Sequence, residues 1–249
     1  MHTVLEVLLV PPGSSPFPRD SWETKSILAF EQRMLDPVDK YPCIFGVDAV
    51  IRRTLRYGFI RTGCHAKQLA ETLTSFTNVC ESLGKRTSLV TFFESWDAQE
   101  RTHESYYQEF WNLLSETSEH DELPWPAAHA VDTDDARFEF CFNGVPMFVV
   151  MNTDLHVDRR SRNFERVAIT FQPRFVFDDI QPNTKTGDNA RNVIRGRIGR
   201  YDTAPLTKML GNFGDSANQE WRQYYLDDGS DTISLGRCPV SFNRNGTEL

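Results

Sequence analysis

The stretch Arg137-Phe138-Glu139-Phe140-Cys141-Phe142-Asn143-Gly144-Val145-Pro146-Met147-Phe148-Val149-Val150-Met151-Asn152 decides the fold class. Its first arm alternates aromatic with other residues, the period of a strand with one buried face. Asn143-Gly144 then supplies two residues that tolerate positive φ, as a type I′ turn requires. The second arm is rich in β-branched and aromatic side chains. A β-hairpin is expected here, and Val167–Gln172 should add a further strand.

Working outward, helices are expected over Trp22–Leu35, Ala66–Leu83, Thr102–Glu116 and Asn189–Tyr201, each with apolar residues returning at helical spacing. Thr87–Phe93 reads as a strand. Grouped antiparallel strands among helices predict an α+β fold, with a central, mostly antiparallel sheet flanked by helices. Pro11-Pro12-Gly13 and Pro16-Phe17-Pro18 mark a turn-rich N-terminal segment (1–20) that is mobile or pairs at an edge. Residues 21–249 are then one domain.

Composition narrows the function classes. The hydrophobic share of 39% and charged share of 25% are those of an ordinary folded chain. A net charge of −8 speaks against a nucleic-acid partner and accords with a small cationic substrate. The five cysteines are scattered with no C-x-x-C pair, against a disulfide scaffold or zinc ribbon. No stretch is long enough to span a bilayer, and Val7–Val10 makes a poor secretion signal, so no membrane partner and a cytoplasmic setting are expected. Gly-rich phosphate loops, H-E-x-x-H and G-x-S-x-G are absent from the sequence.

Three features could carry chemistry. Asp154-Leu155-His156-Val157-Asp158-Arg159-Arg160-Ser161-Arg162 follows directly on the second hairpin arm. His156 could offer a ring nitrogen to a cavity, with arginines neutralising carboxylates beside it. From the residues alone, a solvated basic loop is the more economical reading. Cys43, in Tyr41-Pro42-Cys43-Ile44-Phe45-Gly46, could bind haem iron as a thiolate, although a cysteine in apolar company usually serves as a small buried hydrophobe. Glu94, Glu104 and Glu139 could each hold a guanidinium group, and Glu104 lies beside His103.

Read in order, the segments resemble the YqcI/YcgG family. Tyr41-Pro42-Cys43 through Ala49 resembles the family's aromatic-Pro-Cys segment and the small-residue helix after it. Thr91-Phe92-Phe93, Glu104–Trp111 and Asp121-Glu122-Leu123-Pro124-Trp125 follow. Phe138–Phe164 resembles the central stretch, with Leu155-His156 and Arg160-Ser161-Arg162-Asn163-Phe164 in place. Phe171-Gln172-Pro173, Ile194-Arg195-Gly196-Arg197, Met209–Gly214, Arg222-Gln223-Tyr224 and Cys238-Pro239 complete the series. The chain departs from the pattern where Leu-His-Pro reads Leu155-His156-Val157, and where Asn-Pro-His reads Gln172-Pro173-Arg174.

The resemblance implies haem b and oxygen-dependent N-hydroxylation, as in the family's guanitoxin-pathway guanidine hydroxylase and cycloserine-pathway haem protein. It makes His156 the first choice of axial iron ligand and Cys43 the second. Arg160 and Arg162, assisted by Arg195 and Arg197, would hold the haem propionates, and Glu94 or Glu104 would orient the substrate. L-Arginine, giving N-hydroxyarginine, is the first substrate expected and a cyclic amidine such as an aminoimidazole the second. O₂ and an external electron donor (a reductase or ferredoxin) complete the scheme. A non-catalytic haem or small-molecule carrier and a cofactor-free structural protein are the alternatives.

Overall fold

A computed structural model describes residues 8–181, 184–211, 218–229, 233 and 236–242. Helices α1 (Trp22–Met34) and α2 (Ile44–Ile51) lead into strand β1 (Arg56–Ile60), helix α3 (His65–Thr77) and the single turn α4 (Cys80–Leu83). Strand β2 (Leu89–Phe93), helix α5 (His103–Glu119), the hairpin β3 (Phe140–Phe142) and β4 (Val145–Asn152), strand β5 (Ala168–Pro173) and helix α6 (Lys185–Tyr201) follow. Short 3₁₀ turns lie at Arg160–Arg162, Arg174–Ile180 and Glu220–Gln223.

Among the described residues five strands form one sheet in the order β1-β2-β5-β4-β3. β1 and β2 are parallel, and the other pairs are antiparallel. The fold is α+β with a mostly antiparallel sheet, as its sequence pattern implies. Asn143 (φ 50°) and Gly144 (φ 74°) both take positive φ, and Phe142 pairs with Val145 across them. Val10 makes an isolated bridge to Tyr57, so the N-terminal segment does pair at the β1 edge.

Two expectations change. β1 goes unpredicted because Gly58 interrupts a five-residue run, and it brings the parallel pairing with it. The helix expected over Ala66–Leu83 breaks after Thr77, where the Asn143 amide of the hairpin turn donates to Thr77 Oγ1 at 2.8 Å and to Asn78 Oδ1 at 3.1 Å.

The alternation of the strands builds two cores. Leu89 and Phe93 of β2, Met147, Val149 and Met151 of β4, and Ile169 and Phe171 of β5 pack with α3 and α5. Val90 and Phe92 turn to the other face and pack with Ile27 and Met34 of α1 and Ala49 and Val50 of α2. On that second face Phe148, Val150, Thr170 and Gln172 meet a cavity instead of a packed helix. Among the described residues no helix is long and apolar enough to cross a membrane.

Candidate active site

The cavity has a volume of about 300 Å³, at the small end of ligand-binding clefts. Its walls come from α1, α2, β2, β4, β5, α6 and all three 3₁₀ turns. Phe30, Met34, Phe45, Phe148, Phe177, Ile194 and Ile198 make most of it apolar. Its charged lining residues are Arg162, Arg174, Arg191 and Glu220.

Cys43 lines this cavity as the N-cap of α2, where its Sγ accepts from the Gly46 N–H at 3.4 Å. Burial pushes the thiol up from its ordinary value, against the opposing pull of the Gly46 and Phe45 N–H groups and the Arg162 charge. The N–H donors of the helix N-terminus and the guanidinium favour a thiolate, but burial outweighs them and keeps the group a thiol. Gly46 lets this turn close: a Cβ there would stand 2.9 Å from Met34 Cε and 3.5 Å from Cys43 Sγ.

Arg162 also faces the cavity, 9% exposed, with one NH donating to the Tyr224 carbonyl at 3.3 Å. Burial draws its guanidinium down to about 10, so it stays cationic at neutral pH. Arg174 is held from two sides, by Glu139 and by Glu220. Burial raises the Glu139 carboxyl, and the two acids keep Arg174 charged.

His156 lies elsewhere. Its ring is wholly buried against His103 of α5 (centroids 5.0 Å apart) and Tyr225 (5.5 Å), on the α3/α5 side, and does not line the cavity. Nε2 lies 2.6 Å from the Leu226 carbonyl, which can only accept, so Nε2 carries the proton. Nδ1 then accepts from the Thr153 hydroxyl at 3.0 Å. Both ring nitrogens of the expected axial ligand are thus engaged in hydrogen bonds within the protein. Burial lowers its pKa to about 4, keeping it neutral.

The other expected residues also part from the cavity. Arg160 pairs with Asp39 and covers the Tyr201 ring. Arg195 donates to the Leu210 carbonyl and Arg197 to that of Tyr41. Glu94 is exposed and accepts from Thr62, while Glu104 is exposed in the first turn of α5, where its charge suits the helix N-terminus. Of the residues predicted for the site the cavity gathers Cys43 and Arg162; it adds Gln172, Arg174 and Gln223, quoted above only as part of the resemblance, and Arg191 and Glu220, which no motif marks.

The YqcI/YcgG family model matches residues 30–241. The chain belongs to the YqcI/YcgG family. YcgG and YqcI of Bacillus subtilis (strain 168) are 36% and 35% identical to it over 229 residues, covering 90% of this chain and 90% and 89% of theirs. A Streptomyces lavendulae relative named "Putative N(omega)-hydroxy-L-arginine synthase DcsA" is 29% identical over 231 residues, covering 90% of this chain and 85% of its own length. No solved structure matches. Gln172 and Arg174, where the sequence reading expected Asn and His, both line the cavity.

Proposed function

We propose that this YqcI/YcgG-family chain is a haem-dependent oxygenase that hydroxylates a guanidine nitrogen, with L-arginine as substrate. The observation that carries the proposal is the Cys43 thiol at the N-terminus of α2, opening into an apolar cavity that also holds arginine and carboxylate groups. The name of the Streptomyces relative supports the same chemistry.

The residues present fit a haem. A porphyrin asks the protein for one or two axial ligands, apolar walls and cations for its propionates, and Cys43, the phenylalanines and the lining arginines are of those kinds. Haem b, when bound, supplies the activation of O₂ with two electrons from an external reductase or ferredoxin. With two protons these balance the conversion of an N–H to an N–OH and the release of one water.

The chain's own residues do the rest. Cys43 would hold the iron as a thiolate, and the Gly46 N–H donates to its sulfur. Phe30, Phe45, Phe148 and Phe177 exclude water. Glu220 is the carboxylate among the described lining residues, and it orients the guanidinium in place of the exposed Glu94 and Glu104.

Purified protein is loaded with haemin, reduced and exposed to carbon monoxide. A thiolate-type Soret band is expected, lost in Cys43→Ser. Loaded protein given reductant, O₂ and L-arginine should form a product heavier by one oxygen atom. Recovery of arginine and other guanidines unchanged would sink the proposal.

A further inference from the structure

Gln223 is 7% exposed and lines the cavity, and its side-chain Nε2 has no hydrogen-bond partner. A buried amide left unpaired loses its hydration without compensation, so native proteins rarely keep one without a use. Arg162 presents the same puzzle with a full charge. No Asp or Glu among the described residues lies within ion-pair distance of it, and the nearby Asp202 carboxylate is committed to the Ser161 N–H (2.7 Å) and hydroxyl (2.8 Å). Its one side-chain hydrogen bond goes to the carbonyl of Tyr224, the residue next to Gln223, which brings both unsatisfied donors to one part of the wall. A buried cation without a counter-ion is costly unless a ligand brings one.

We infer that Arg162 and Gln223 form a carboxylate-binding subsite of the cavity. Of the other lining arginines, Arg174 is paired with Glu139 and Glu220 and Arg191 with Asp188, so Arg162 is the cation that a ligand carboxylate would neutralise. Glu220, one turn before Gln223 in the same 3₁₀ segment, already pairs with Arg174, and a cationic group of the ligand would share that carboxylate. The chemistry selected is a guanidino acid, or a haem propionate in the same two donors. Only the choice between these sources rests on the function proposed above.

The test uses the full chain and four probes: L-arginine, its decarboxylated counterpart agmatine, haemin, and haemin dimethyl ester. Gln223→Leu removes the unpaired amide while keeping its bulk, so the variant should be as stable as the parent or more so, and yet bind carboxylates about tenfold more weakly. Arg162→Gln is the second variant, read only if it folds. Weaker L-arginine binding with agmatine unchanged assigns the subsite to the substrate, and weaker haemin binding with the diester unchanged assigns it to a propionate. Equal affinities of parent and Gln223→Leu for all four probes overturn the inference. A parent that prefers L-arginine to agmatine and takes up no haemin keeps the subsite and loses the haem reading. A parent that binds haemin and its diester alike, and arginine no better than agmatine, does the reverse.

Discussion

The Nε2–H of His156 donates to the Leu226 carbonyl at 2.6 Å, and this bond clasps the loop after β4 to the segment that returns from Glu220. The same junction is fastened by Asp228, whose carboxylate accepts from the N–H groups of Val157 and Asp158 at 2.9 Å and of Arg159 at 2.6 Å. Burial keeps His156 neutral at this junction, which sets the direction of the pH response.

On unfolding, His156 regains its ordinary pKa of 6.5, whereas in the fold burial holds it near 4. The unfolded chain takes up this proton first as pH falls, so the contribution is fully present above about pH 6.5 and is lost as pH drops towards about 4. It amounts to about 3 kcal/mol. His103, also lowered by burial, acts in the same sense. Urea melts over this range should show the decline, and it should flatten in His156→Gln. That variant should lose about 1–3 kcal/mol at neutral pH and still take up haemin. A variant that keeps full stability but loses haem would restore His156 as the ligand.

Glu220→Gln should reduce arginine turnover at least tenfold, because a neutral amide holds a guanidinium poorly. Glu94→Gln and Glu104→Gln, both at exposed positions, should leave it within a factor of about two. Steady-state kinetics on the three variants separates the cavity carboxylate from the surface ones.

Gly46→Ala should alter ligand binding more than stability. The new methyl would lie 2.9 Å from Met34 Cε, the end of a flexible side chain that must give way beside the cavity. Alanine's better helix propensity, worth about 1 kcal/mol, offsets much of the crowding. Thermal melting should shift by a few degrees at most, and haemin titration should show a clear loss of affinity.

Phe92→Ala should cost about 3–5 kcal/mol in denaturant unfolding. Its ring is fully buried, stacked on Tyr57 (5.7 Å) and Phe164 (5.5 Å) and edge-on to Phe30 (5.9 Å). A loss under 1 kcal/mol would mean that this core can collapse around the gap.

Much of the fold was legible because its signals are local. The Asn143-Gly144 turn and the alternation on either side fix a hairpin whatever else the chain does. β1 was hidden for a tertiary reason. A Cβ on Gly58 would stand 2.6 Å from the Thr72 methyl of α3, so packing against the helix demands the residue that most weakens a strand signal. The site was legible only in fragments. His156 and its arginines draw attention because they are adjacent in sequence, while the cavity is assembled from single residues on many elements. Its best sequence clue was the pair of departures at Gln172 and Arg174.

The far wall of the cavity, Glu220 to Gln223, is contributed some 180 residues after Cys43. During synthesis Cys43 and α2 leave the ribosome long before the groups that face them across the hollow. A nascent chain halted before Glu220 would carry the apolar walls of the cavity but neither Glu220 nor Gln223.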